Sequence, residues 1–479
     1  MRLVPGTAIA TTVTATVREP VDVIVAGGGT AGVVAAIAAA RTGARTLLIE
    51  RRNMLGGMMT GGNAGLTTYT VYDKRQGSFR EIVAQLATDP AAVQIVGGIP
   101  REITQRLIAA GDAVGTSGTG GAYVFTAQEA FKRLLLQMLE EAGARLLLHA
   151  LVVDVMRDGD ALSAVVVETK SGRQVYPATT FVDATGDGDL AARAGVPYTV
   201  GVAAEDHCAL SGTSAPGSMG AMGVMFRMAN VDMEALFAYL RAHPEAFQVQ
   251  RVALQSLEEA AANHARGEMA CFVIRGERFS HQVYNSPIPG VVTLCCPCYA
   301  GSGLDVDALT AGEIALMHEV HERAQWLRQT TPGFANAFLL DMPEIGVRET
   351  RHIEGEYKLR IEDLLARTAF PDSIGRGSHP IDIGPLPEAL RNVATVDNWS
   401  FEIPYRALLA KGVANLLLAG RCISATHEAF GCTRTTVQCM ITGQAAGTAA
   451  ALAACAGVSP KALDVSALRA RLAADGVVL

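Results

Sequence analysis

No uninterrupted apolar run reaches about 18 residues, the length a membrane-spanning helix needs, so no transmembrane segment is expected. Residues 1–20 lack the charged start, apolar middle and small-residue cleavage pattern of a signal peptide. They read instead as a short extension or an added strand, since Thr and Val dominate 11–17. Positive charge is not in excess: the formal net charge of −7 argues against nucleic acid or an anionic membrane as partner. The nine cysteines, odd in number and scattered, do not make a secreted disulfide framework, and a cytoplasmic location is the expectation. Neither an internal repeat nor a low-complexity tail occurs.

What is present is an ordinary globular composition, 49% hydrophobic, in 479 residues, long enough for two domains with large cores. Residues 21–26 are apolar apart from Asp22, as in a parallel strand buried on both faces. Gly27-Gly28-Gly29-Thr30-Ala31-Gly32 follows, then an Ala-rich helix over 33–41, a turn at 42–45 and a second buried strand at 46–49 ending at Glu50. This is a βαβ unit with G-x-G-x-x-G in its required place. Gly27 permits the tight turn, Gly29 admits a pyrophosphate to the backbone, and Gly32 lets helix and strand pack closely. The helix N-terminus offers N–H groups and partial positive charge to phosphates, and Glu50 stands where ribose hydroxyls are bound. The motif establishes dinucleotide binding but does not separate FAD from NAD.

Further along, 126–142 reads as an amphipathic helix, with Phe131, Leu134, Leu135 and Met138 at helical spacing. Residues 146–156, 163–170 and 174–183 read as a small meander turning at Asp158-Gly159 and Ser171-Gly172. Helices are expected at 232–241, 249–266 and 307–328, a buried strand at 415–419, and a final Ala-rich helix over about 442–454. The fold class is therefore α/β: a Rossmann-type domain from 21–205 plus 401–479, an inserted α+β substrate domain at 206–400, and the extension 1–20.

Asn53-Met54-Leu55-Gly56-Gly57-Met58-Met59-Thr60, Asp183-Ala184-Thr185-Gly186-Asp187-Gly188, the run Gly420-Arg421-Cys422 to His427-Glu428, and Gly443-Gln444-Ala445-Ala446-Gly447 recur in order. With Arg348-Glu349-Thr350-Arg351-His352, Ser378-His379-Pro380-Ile381-Asp382 and Ile403-Pro404-Tyr405-Arg406, the sequence resembles the FAD-dependent oxidoreductases related to heterodisulfide-reductase-A-like flavoproteins. The resemblance covers 21–205 and 340–455, and the middle segment from Glu205 to Asp341 has no clear counterpart. It implies FAD as cofactor, with Gly27, Gly29, Thr30, Ala31, Gly32, Glu50 and Arg51 on the ADP half. It places Gly56, Gly57, Met58 and Met59 along the pyrophosphate, Val153 near the adenine, and Ala184, Thr185, Gly186 and Asp187 in a second cofactor loop. Gly420, Arg421 and a helix start at Gly443, Gln444 and Ala445 would approach the ribityl chain and flavin. A helix N-terminus there stabilises reduced flavin's negative charge, although the small residues also suit plain helix packing.

For chemistry, Arg348, Arg351 and His352 share one face if 348–352 is helical, and could clamp a carboxylate. The same residues also fit a salt-bridge network with Glu349, Glu354 and Glu356. His379 beside Asp382 suits a general base, or a loop histidine held by turn hydrogen bonds. His427 lies on the approach to the final helix, as catalytic group or as packing. His207 beside Cys208 is recommended by position alone. Cys295-Cys296-Pro297-Cys298 has C-x-x-C spacing for a redox pair, yet its flanks suit a buried strand. No second pair supplies a zinc or iron–sulfur set, His318 and His321 are not H-E-x-x-H, and no metal is expected. Met219, Met222, Met225 and Met228 read as core filling.

The expected activity is hydride transfer between non-covalently bound FAD and a small hydroxyl- or carboxylate-bearing molecule. A flavin monooxygenase and a non-catalytic electron-relay subunit are the rivals. The electron acceptor and any homo-oligomeric state stay open.

Overall fold

Unbroken apolar sequence needs cover, and the chain forms a parallel sheet with helices packed together against it. In the computed structural model, which describes residues 12–67, 95–115, 123–203, 217–250, 255–383 and 400–479, Val21–Ala26 is the sheet's central strand. It pairs in parallel with Thr46–Ile49, and Arg145–Leu147 extends that side. On its other side runs the second half of Gly172–Asp183, followed by Leu416–Leu418. The first half of Gly172–Asp183 pairs antiparallel with Ala161–Thr169, which pairs with Leu151–Asp158. One long strand thus belongs to both the parallel sheet and the meander. Thr16–Val17 joins the meander edge beside Gln174 and Val175, the added strand of the extension.

Thr30–Arg41 and Thr436–Ala456 lie against each other beside this sheet. A Cβ built on Gly443 would stand 2.2 Å from the Ala31 carbonyl oxygen, and one on Gly447 2.0 Å from that of Ala35. These glycines therefore let two helix backbones touch. Thr436–Ala456 is long and apolar enough to cross a membrane, but 78% of its most apolar window is buried inside this fold, where it meets the first helix and the sheet.

The second core sits under a six-stranded antiparallel sheet containing Met222–Ala229 and Val292–Tyr299 as neighbours. Helix Val306–Thr330 packs on it through Leu316, Val320 and Leu327. Met222 and Met228 fill that core, while Met225, pointing to the opposite face, does not. The core spans Met222 to Val347, shorter than the 206–400 unit expected. Ile353, Leu359, Ile361 and Phe370 pack instead into the first core, because strand Arg351–Ile353 pairs with Tyr198–Val200 and turns the chain back early.

Candidate active site

Between the two sheets lies a cavity of about 1640 Å3. That exceeds the roughly 300–1,000 Å3 of ordinary small-molecule sites, leaving room for a dinucleotide and a second molecule. Gly27, Gly29, Thr30 and Ala31 form one end of it. The glycines there divide by purpose. Gly27 has φ +94°, and a Cβ would lie 2.6 Å from the Ala184 carbonyl oxygen; at Gly32 it would lie 1.7 Å from that of Gly27. Both are required by the protein's own packing. Gly29, the N-cap of the first helix, has an ordinary φ of −71°, and the nearest atom to its Cβ position is 4.0 Å away. Only something entering the cavity needs Gly29 bare. Glu50 is buried, its carboxylate accepting from Gly28 N at 2.6 Å and Arg52 N at 2.8 Å. Each oxygen keeps further acceptor capacity.

The loop 184–187 forms the next wall, organised from beneath by Asp183. Its carboxylate accepts from Ala191 N at 2.8 Å, Thr185 N at 3.0 Å and the Thr185 hydroxyl at 2.7 Å, yet full burial pushes its pKa up to about 6. Asp187 meets Arg421 at 2.7 Å and the Thr350 hydroxyl at 3.0 Å. Burial disfavours its charge, but the Arg421 guanidinium prevails and holds it below the usual carboxylate range. Buried Arg421 Nη1 has no partner among the described residues. Thr435 and Thr436, the N-cap and first residue of helix Thr436–Ala456, complete this wall.

At the remaining end stand Arg348, His379, Asp382 and Arg434. The segment 348–352 is not helical. Its extended course separates the three side chains expected on one face, because successive residues of a strand point oppositely. Arg348 reaches the cavity, donating to the Ala221 carbonyl and lying 3.6 Å from Cys298 Sγ. Arg351 turns away to Asp189 at 2.8 Å and the Asp187 carbonyl at 2.9 Å, its guanidinium over the Tyr198 ring. His352 packs edge-on against Phe430. His352 Nε2 and His427 Nδ1 both approach Glu349 Oε1, at 2.7 and 2.6 Å, and Gly220 N donates to Glu349 Oε2 at 2.7 Å. Burial opposes the Glu349 charge, yet the two imidazoles hold its pKa at about 2. An ionised carboxylate only accepts, so both histidines carry their proton on the nitrogen facing it. Buried Glu349, His352 and His427 are outside the cavity wall. They tie the strand Arg351–Ile353 to the helix His427–Thr433 behind it.

His379 does line the cavity, its Nδ1 2.7 Å from the Pro380 carbonyl oxygen. A carbonyl cannot donate, so Nδ1 bears the hydrogen and Nε2 is the basic nitrogen. Burial lowers its pKa against the pull of Asp382, favouring neutral imidazole. Arg434 pairs with Asp382 at 2.6 Å, and its buried Nε has no partner among the described residues. Burial also depresses the Arg434 pKa, Asp382 opposing and Arg348 and Arg421 reinforcing that shift.

A family model described as FAD dependent oxidoreductase matches residues 22–472. The chain belongs to this family. FAD is accordingly the cofactor of this oxidoreductase, and its residues fit one. Gly29 leaves the helix N-terminus open, Glu50 retains acceptor capacity, Arg421 Nη1 is an orphaned donor, and a second helix N-terminus at Thr436 faces the same space. No curated protein matches. Among solved structures, a geranylgeranyl bacteriochlorophyll reductase-like protein from Thermoplasma acidophilum aligns at 13% identity and TM-score 0.46, over 95% of this chain and 83% of that one. A flavin-dependent brominase aligns at 12% and 0.42, over 95% and 83%. The p-nitrophenol 4-monooxygenase of Pseudomonas putida aligns at 11% and 0.42, over 93% and 82%. Likeness at this level assigns neither substrate nor reaction.

Several residues expected at the FAD of this oxidoreductase do not line the cavity. The helix holding Gly443 begins at Thr436, about two turns earlier. Gly443 is against Ala31, Gln444 Oε1 accepts from Ile99 N at 2.9 Å, and Ala445 is core. Val153 is the extra residue of a β-bulge, so Val152 takes the wall. Met59 is fully buried core, and Gly56, at φ +98°, shapes the turn before Gly57–Met59. Arg51, Gly57 and Met58 do line the cavity, as do Gly420 and Arg421. His318 is exposed, and His321 bonds the Met317 carbonyl of its own helix. His207 and Cys208 lie outside the described residues. Sequence reasoning missed Tyr284, stacked on Phe125 with ring centroids 4.4 Å apart, and Gln282, both facing the cavity from one strand of the second sheet. Their i, i+2 spacing was the available signal.

Proposed function

We propose that this oxidoreductase oxidises a small hydroxyl-bearing carboxylate. The observation carrying this reading is the charge at the far end of the cavity. Two guanidiniums, Arg348 and Arg434, meet there with a neutral imidazole and one carboxylate, Asp382, a local balance of one positive charge. An anionic substrate neutralises it, and guanidiniums bind carboxylates with directional, charge-assisted hydrogen bonds. His379 stands on the same wall and is the group we assign to take the hydroxyl proton as the C–H bond breaks. When bound, FAD supplies the hydride acceptor. The Glu349 pair with His352 and His427 holds the 348–353 segment to the helix His427–Thr433, so Arg348 keeps its place.

Anaerobic mixing of the FAD-loaded protein with 2-hydroxy acids, sugars and unsaturated acids tests this directly. Bleaching of the flavin by hydroxy acids, and not by uncharged alcohols of equal size, is the expected result. Bleaching by nicotinamide nucleotides alone, followed by oxygen uptake, would replace the reading with monooxygenation, and no bleaching by any compound would favour the relay.

A further inference from the structure

The strand Val292–Tyr299 carries Cys295 and Cys298 three residues apart, and regular alternation would aim them at opposite faces. A β-bulge changes that. Cys298 pairs with Gly223 and Cys295 with Met225, so three steps of this strand oppose two of its neighbour. Gly223 and Met225 share the cavity face, and both thiols are brought to that face with them. The bulge also draws their Cα atoms towards the two-residue rise of the partner, ~7 Å, at the upper limit for a disulfide. Pro297 occupies the bulge, where its missing N–H leaves no ladder bond unmade.

A fixed cation completes the cluster. Arg348 Nη1 is 3.6 Å from Cys298 Sγ. A Cβ on Gly223 would stand 3.0 Å from that nitrogen, so glycine there makes room for the guanidinium. Thiol–disulfide chemistry runs through negatively charged sulfur, and Cys298 is the sulfur with positive charge against it.

We propose that Cys295 and Cys298 form a redox-active dithiol–disulfide pair in the wall of the FAD cavity, exchanging electrons with FAD. In the oxidising direction two S–H bonds break and one S–S bond forms. Two electrons and two protons pass to FAD, and the reverse step returns them. The pair stores a second two-electron equivalent beside the cofactor, a capacity separate from the choice of organic substrate.

Reductive titration of the holoprotein counts those electrons. After oxidation with glutathione disulfide and desalting, anaerobic dithionite should deliver two two-electron equivalents per FAD in the natural protein and in Cys296→Ser. Cys295→Ser and Cys298→Ser should each take one. A second readout needs no flavin: alkylation of the unfolded, unreduced protein followed by peptide mass analysis. The peptide holding residues 295–298 should carry one alkyl group after oxidising equilibration and three after reducing equilibration. For Cys296→Ser the counts become none and two. One equivalent per FAD in the natural protein, three alkyl groups under every condition, or loss of the disulfide in Cys296→Ser overturns the pair.

Discussion

Gly29→Val should separate cofactor binding from folding more sharply than any other change in the glycine loop. The position has φ −71°, open to any residue, and among the described residues beyond its chain neighbours the nearest atom to the new Cβ is Gly57 Cα at 4.0 Å. The apoprotein should therefore keep its stability to within about 0.5 kcal/mol, the usual range for substitutions that disturb nothing. The new methyl groups instead fill space at the helix N-terminus, where a pyrophosphate accepts from backbone N–H groups. Losing two charge-assisted hydrogen bonds at about 1.5–3 kcal/mol each weakens binding by roughly 3–6 kcal/mol, a factor of about 10²–10⁴ in Kd. Gly27→Val, with φ +94° and a 2.6 Å clash, should lose stability as well as FAD. Denaturant melts of both apoproteins, with FAD titration followed by fluorescence quenching, make the comparison. Retention of FAD by Gly29→Val at the natural affinity would refute the phosphate-loop assignment, and unfolding of that variant would refute the geometric distinction.

Arg348→Met should raise KM for a carboxylate substrate about 10–100-fold, the loss of one charge-assisted bond of about 1.5–3 kcal/mol, with little effect on FAD affinity in equilibrium titration. Glu349 titrates in the fold at about 2 against an ordinary value of 4.5, so its contribution is complete above pH 4.5 and lost as pH falls through 2. That shift corresponds to about 3 kcal/mol; Glu349→Gln should remove this pH dependence in acid melts and destabilise the protein near neutrality. Gly447→Ala should lower stability by about 1–3 kcal/mol through overpacking, because its Cβ meets the Ala35 carbonyl at 2.0 Å. A calorimetric Tm unchanged from the natural protein would contradict that contact.

The strand Val21–Ala26 and the glycine turn after it were legible residue by residue, since burial on both faces and a phosphate-binding turn each leave a local signature. The site was less so. Arg348, Arg351 and His352 would share a face only in a helix, but pairing with Tyr198–Val200, some 150 residues earlier, made the segment extended. Gly443 to Gly447 resembled a helix start, yet its glycines answer to Ala31 and Ala35 on a helix some 400 residues away. Glu349 read as one partner in a salt-bridge network with the neighbouring arginines. Its role as common acceptor for two buried imidazoles depends on His427, which no local pattern connects to it. Cys295 and Cys298 carried the right spacing throughout, but only the bulge opposite Val224 gives that spacing a shared face.

The contact between Thr30–Arg41 and Thr436–Ala456 has a consequence for synthesis. The first helix leaves the ribosome about 400 residues before the helix that covers it. At roughly 5–20 residues per second, its alanine face waits on the order of 20–80 seconds for that cover. The docking that covers the first helix therefore waits for Thr436–Ala456, and a chain cut anywhere before Thr436 leaves the nucleotide loop standing on an uncovered helix. Nascent chains should consequently engage chaperones after the first helix emerges and release them only once Thr436–Ala456 has emerged to cover it.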